Sequence, residues 1–183
     1  MSIPWAVLAL ILWTVWLYPL LFRAPHFQKR PSITVPGPTR VGLLLECLAI
    51  VVAFAFRRDN PPEIWQIAAA IVFASLATVL SWTSVTHLGR QFRVQAGLYE
   101  DHELVRTGPY AVVRHPIYAS MLGMLLCTIL LVTAWQWAVV SIVLFIIGTE
   151  IRVHSEEKLL ASRFGAALDE YRKRVPAYIP LVR

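Results

Sequence analysis

Long apolar runs, each closed by a short polar or proline-bearing stretch, organise this chain. Residues 3–22 carry no charged side chain, 41–56 carry only Glu46, and 64–82 are again uncharged. After a polar stretch, residues 118–133 and 137–150 follow one another with almost no connecting loop. Several of these runs approach or exceed the ~18 residues that point to a bilayer span. The pattern predicts an all-α, polytopic integral membrane protein of about five transmembrane helices, the last two forming a hairpin. The first run lacks the basic flank and small-residue cleavage site of a signal peptide, so it is read as a mature helix. No proline lies between Pro116 and Pro176, so the fifth helix is expected to continue beyond the membrane. Leu160, Phe164, Leu168 and Tyr171 fall on one stripe of that extension. Its expected role is a C-terminal helix folded back over a pocket.

Composition and charge sharpen this picture. The 183 residues make one domain's worth, 57% hydrophobic and 15% charged, against about 25% charged in ordinary soluble domains. Of 17 Lys and Arg residues, 15 lie in segments 23–40, 83–117 and from Ile151 onward, which five spans put on one side. Only Arg57 and Arg58 lie on the other. The positive-inside rule then predicts a cytoplasmic face for the first set, with the N-terminus outside. The net charge of +6 is thus a topology signal, and no nucleic-acid patch is expected. Cys47 and Cys127 read as buried small hydrophobes. Trp5, Trp13, Trp16, Tyr18, Trp65, Trp82, Trp135 and Trp137 read mostly as interfacial aromatics.

Polarity is concentrated in 86–118 and from Glu150 onward. In the stretch from Gly108 to Tyr118, Gly108, Pro109 and Pro116 stop a helix from running through. Irregular backbone at the mouth of a membrane helix persists where protein or a ligand satisfies it. The plainer alternative is a juxtamembrane loop whose Arg114 meets lipid phosphate. Further on, Glu150, Arg152, His154, Glu156 and Glu157 follow directly on an apolar span, where ionisable groups are expensive. Arg152 and Glu156, four apart, also fit an ordinary intrahelical ion pair. Glu46 reads equally as a polar helix contact or as a pocket wall.

Several chemistries are excluded. There are eight glycines and no Gly-x-Gly, hence no dinucleotide fingerprint or phosphate-cradling loop. Five histidines show no His-x-x-x-His spacing, which argues against a metal centre. No serine or cysteine stands in a recognisable nucleophile context. What remains is an enzyme that positions a reactive cofactor and a lipid-like substrate, using one histidine and a few Tyr, Arg and Glu.

The residues from His102-Glu103-Leu104-Val105, through Gly108 and Tyr110, to Arg114-His115-Pro116-Ile117-Tyr118 resemble the isoprenylcysteine carboxyl methyltransferase family. The wider group includes membrane phospholipid methyltransferases. The likeness resumes at Arg152-x-x-x-Glu156-Glu157-x-x-Leu160, then Phe164-Gly165, Tyr171 and Val175-Pro176. It covers roughly the C-terminal half, and the first three spans show no motif. Pro109 and Ser120 depart from the family's common residues, Ser120 standing where glycine is frequent.

The resemblance implies S-adenosyl-L-methionine bound at the cytoplasmic face, between the first polar segment and the tail helix. Cofactor contacts would be Gln95, His102, Glu103, Leu104, Val105, Tyr110, His115, Pro116, Ile117, Tyr118 and Glu156. Candidate catalytic residues are Arg114, Arg152 and Glu157, with Arg152 facing the substrate. The implied acceptor is the carboxylate of a prenylated cysteine or a similar lipid-like acid from the bilayer. Such a nucleophile is already ionised at neutral pH and needs orientation more than a base. Three other readings stand beside this one. One is N-methylation of a phospholipid amine, with Glu157 or a histidine as an obligatory base. Another is a sterol-reductase-like enzyme using reduced nicotinamide. The last is a non-enzymatic transporter or assembly factor.

Overall fold

The computed structural model describes residues 3–23, 33–34, 36–92, 97–98 and 103–178. Six helices make up its frame: α1 (Ile3–Tyr18), α2 (Pro36–Ala55), α3 (Ile64–Leu88), α4 (Pro116–Leu131), α5 (Trp135–Phe164) and α6 (Ala166–Arg174). Two-residue strands β1 (Ile33–Thr34) and β2 (Gly97–Leu98) pair antiparallel beside them. Among the described residues, four stretches are long and apolar enough to cross a membrane: Ile3–Phe22, Gly37–Ala55, Ile64–Gln91 and Trp135–Phe164. Helix α4, the remaining one of the five expected spans, has 16 residues. At about 1.5 Å per residue it spans roughly 24 Å, short of a ~30 Å hydrocarbon core. The chain is an all-α integral membrane protein.

Small residues bring the helices together, as they do where lipid offers no hydrophobic driving force. At the α2–α5 contact, a Cβ on Gly148 would lie 2.7 Å from the Gly42 carbonyl oxygen. Any side chain there would push the backbones apart. Ala49 and Ala53 of α2 pack nearby with Leu125 and Phe145. Between α3 and α4, Ala70, Ala74 and Ala77 meet Met124, Cys127 and Leu131.

The turn between α4 and α5 is tied to the end of α2. Thr133 Oγ1 donates to the Ala53 carbonyl (2.9 Å). The Ala134 amide donates to Phe56 O (3.0 Å), and the Arg58 amide to Val132 O (2.8 Å). The Phe56 and Trp137 rings stack with centroids 3.6 Å apart. These bonds satisfy backbone that a membrane would otherwise leave unpaired.

Three expectations change. The extension of α5 is no single helix, because Gly165 adopts φ +46, a left-handed conformation that ends α5 and starts α6. The expected stripe survives the break, with Leu160 and Phe164 packed against Leu168, Tyr171 and Val175. Trp13 and Trp16 point inward: their indole N–H groups donate to Thr128 Oγ1 (2.9 Å) and Ser120 Oγ (3.1 Å) of α4. Burying an indole requires such a partner, and hydroxyls on α4 supply it. Cys127 is buried, but Cys47 faces outward from α2.

Candidate active site

The site begins where α4 begins. Gly108 takes φ +58, and the His87 ring occupies the space a side chain would need, so glycine alone suits this turn. The turn buries Tyr110 and leads through an irregular stretch to Pro116, the first residue of α4. Proline suits that position, since the first turn of a helix needs no N–H there.

The tail holds this stretch by its backbone. The Arg114 amide donates to Pro176 O (2.8 Å) and the His115 amide to Ala177 O (2.9 Å). Arg114 Nη1 donates to Val175 O (2.5 Å). The Tyr171 hydroxyl of α6 donates to Tyr110 O (2.5 Å), and Arg106 donates to Ala167 O (3.1 Å). The Tyr110 phenol is pushed well above its ordinary pKa by burial and then by the Glu156 charge. Burial also raises Tyr171, to about 12, against the opposing charges of Arg114 and Arg106. Both phenols stay neutral at physiological pH, and Tyr171 stays a donor.

Two carboxylates of α5 meet this segment. Glu157 Oε1 accepts from Arg114 Nε (3.0 Å) and lies 3.1 Å from His115 Nε2. Glu157 Oε2 is 3.1 Å from Arg172 Nη2 on α6. One carboxylate therefore ties three segments together. Glu156 accepts the Tyr118 hydroxyl, and its Oε2 lies 3.8 Å from His115 Nδ1. His115 thus sits between the two acids.

Arg152, which also fitted an ordinary intrahelical pair with Glu156, reaches across to α2. Arg152 Nη1 is 2.5 Å from Glu46 Oε2, and the guanidinium carbon sits 4.9 Å from the centre of the Tyr118 ring. Thr149 Oγ1 donates to Glu46 Oε1 (3.0 Å). Glu46 is wholly buried, so of its two readings the helix contact is the observed one. A sequence signal existed. Gly42 and Glu46, like Gly148 and Arg152, are four apart, placing a small residue beside a charge on each of two spans.

A cavity of about 410 Å³ opens among these groups. Its walls include every described residue expected at the site: Glu103, Leu104, Val105, Tyr110, Arg114, His115, Pro116, Ile117, Tyr118, Arg152, Glu156 and Glu157. Gln95 and His102 lie outside the described residues. Leu160 and Tyr171 of the tail motif also line it, whereas several further walls had no sequence motif to announce them. Trp13, Trp16 and Leu17 come from α1, Leu20 and Leu21 from the π-helical turn Pro19–Arg23 that follows it, Leu43 and Ile50 from α2, and Met121 from α4. The cavity is therefore polar along the Arg114–Tyr118 segment and α5, and apolar along α1 and α2. Ser120 both accepts from Trp16 and donates to Ile117 O (2.7 Å), so it fixes this apolar wall.

Comparison with known proteins follows the same line. A protein-S-isoprenylcysteine O-methyltransferase of Schizosaccharomyces pombe is 34% identical over 116 residues, 62% of this chain. The chain spans about half of that relative, 49% of its length. Protein-S-isoprenylcysteine O-methyltransferase B of Arabidopsis thaliana is 26% identical over 82% of this chain and 78% of its own. A nickel-cobalt-cadmium resistance protein, NccN, of Alcaligenes xylosoxydans xylosoxydans is 24% identical over 85% of this chain and 74% of its own. The family model for isoprenylcysteine carboxyl methyltransferases matches residues 68–162, from within α3 to near the end of α5. Because that match takes in the Arg114–Tyr118 segment and both carboxylates of α5, the chain belongs to the isoprenylcysteine carboxyl methyltransferase family.

Proposed function

We propose that this protein methylates the carboxylate of a prenylated cysteine, or of a similar lipid-like acid, using S-adenosylmethionine. The observation that carries the reading is the single cavity that joins ionisable groups of α4 and α5 to apolar walls of α1 and α2. A methyl donor with charged and aromatic parts suits the first, and a hydrocarbon tail suits the second. Glu156, His115 and Tyr118 would hold the donor's polar groups, with Leu104 and Val105 against its flat base. Glu103 and Tyr110 complete that wall.

S-adenosylmethionine supplies a methyl on a sulfonium: the new O–CH3 bond forms as the S–CH3 bond breaks, its electron pair staying on sulfur. No proton moves. Catalysis then rests on holding the acid in line and stripping it of water. Arg152, at the cavity wall, would orient the carboxylate. Attack of an anion on a cation neutralises charge, which a low-dielectric site favours.

An amine acceptor would need a base, and Glu157 is the carboxylate nearest that role. Its Oε1 is held by Arg114 and His115 and its Oε2 by Arg172, which favours the acid over the amine. Arg114 and Glu157 serve best as a clasp that shapes the donor site. The lopsided distribution of Lys and Arg supports a cytoplasmic site, with the N-terminus outside.

Calorimetric titration of the detergent-solubilised protein with S-adenosylhomocysteine tests the class, with reduced nicotinamide as comparison. Saturable binding of the first, weakened in Glu156→Ala, is expected. Binding of the nicotinamide alone would replace this reading by the reductase.

A further inference from the structure

Glu46 lies in α2, outside the residues matched by the family model, and does not line the cavity. Its partner Arg152 does. The Arg152 guanidinium therefore stands between the cavity and a buried carboxylate, with the Tyr118 ring 4.9 Å from its carbon. Both Glu46 oxygens are engaged, Oε2 by Arg152 at 2.5 Å and Oε1 by Thr149 at 3.0 Å.

The helices are built for this approach. A Cβ on Gly42 would lie 2.5 Å from Arg152 Cγ and 2.6 Å from Gly148 O. The glycine pair thus opens a passage in which the arginine stem runs along α2 to reach Glu46.

Stability does not explain such a pair. Desolvating two ions costs as much as their attraction returns, and apolar residues of equal volume are often as stable or more so. A cation that must sit at the cavity wall does explain it. Arg152 without a counter-charge would grip a substrate carboxylate tightly in this low-dielectric setting. That grip strengthens ground-state binding, and it is lost as the carboxylate becomes a neutral ester.

We propose that Glu46 is a positioning residue: it fixes the Arg152 guanidinium and balances its charge, so that Arg152 orients the acceptor carboxylate without immobilising it. This rests on the carboxyl-methylation reading of the site. Thr149 steadies Glu46 in turn, and the Tyr118–Glu156 bond links the same guanidinium to the donor side.

The test is steady-state methylation of N-acetyl-S-farnesyl-cysteine at saturating S-adenosylmethionine, comparing wild type, Glu46→Gln and Thr149→Val. Glu46→Gln is expected to lower kcat about tenfold while also lowering the acceptor KM about threefold, the pattern of strengthened ground-state binding. Thr149→Val is expected to move both in the same direction by a smaller factor. S-adenosylhomocysteine affinity should stay within about twofold in each, since neither residue meets the donor. A purely structural role would reduce the active fraction and leave KM alone. An unchanged or raised KM in the variants, with wild type making the ester, overturns this inference alone. If Glu46→Gln does not fold, Thr149→Val decides on the same sign. A folded wild type that binds S-adenosylhomocysteine but makes no ester overturns the carboxylate reading and this inference with it.

Discussion

The Arg114 guanidinium and the Glu157 carboxylate face one another through Nε at 3.0 Å and Nη2 at 2.9 Å, joining the mouth of α4 to α5. Both are mostly buried, and Arg172 reaches the same acid from α6. Removing one partner strands the others in a poorly solvated place, which costs more than the pair contributes when whole. Glu157→Gln should destabilise the protein by about 2 kcal/mol, below the ~3–5 kcal/mol of fully buried pairs because some solvent remains. Thermal unfolding in detergent measures this, and limited proteolysis should cut the tail near Val175 sooner than in wild type. An unchanged melting temperature and cleavage rate would exclude the clasp.

Donor and acceptor roles separate by residue. Glu156 accepts from Tyr118 and neighbours His115, whereas Arg152 lies against α2. His115→Ala and Glu156→Ala should weaken S-adenosylhomocysteine binding by tenfold or more, about the loss expected for a hydrogen bond to a charged group. Arg152→Lys should leave that affinity within about twofold and lower turnover about a hundredfold, because a point charge cannot reproduce a planar fork. Calorimetry and initial rates on the same preparations check the split. Equal loss of donor affinity in all three variants would contradict it.

The α2–α5 contact leaves no room for a methyl group. A Cβ on Gly148 would lie 2.7 Å from Gly42 O and 3.0 Å from Leu45 Cβ, and backbone cannot yield as a flexible side chain does. Gly148→Ala should cost roughly 1–3 kcal/mol, as overpacking does, and draw Arg152 away from Glu46. Lower melting temperature together with lower turnover is the expected result. Wild-type values for both would refute the close approach.

Alkaline pH should loosen the tail. The Tyr171 phenol, near 10 when unfolded, is raised to about 12 in the fold, where its hydroxyl donates to Tyr110 O. The raised value means the folded state keeps the proton longer. The associated stability is whole below pH ~10 and is lost as pH rises toward 12. Tyr171→Phe removes this titration, so its melting temperature should start lower and fall less between pH 10 and 12. Parallel slopes in the two proteins would rule out Tyr171 as the group responsible.

The helical frame was legible because apolar runs of bilayer length leave few alternatives. The helix break at Gly165 was less so, since apolar periodicity continues through it: Leu160, Phe164, Leu168 and Tyr171 pack together on both sides of the turn. Residues of the polar segments announced themselves as donors, acceptors and prolines in close sequence. The Glu46–Arg152 pair spans 106 residues of separation, and the glycine four residues before each charge marks a close approach without naming the partner. The apolar cavity wall of α1 was hidden for a different reason. Trp13 and Trp16 have the composition of interfacial anchors, and only the hydroxyls of Thr128 and Ser120 on another helix turn them inward.

The most direct test of the central claim is the chemical nature of the methylated product. Purified protein, labelled S-adenosylmethionine and N-acetyl-S-farnesyl-cysteine are incubated together, in parallel with a phospholipid amine acceptor. Carboxyl methylation predicts label in the farnesylated acid that mild alkali releases as volatile methanol, with none released after Arg152→Ala. Label that resists alkali and resides in the amine acceptor would contradict the account.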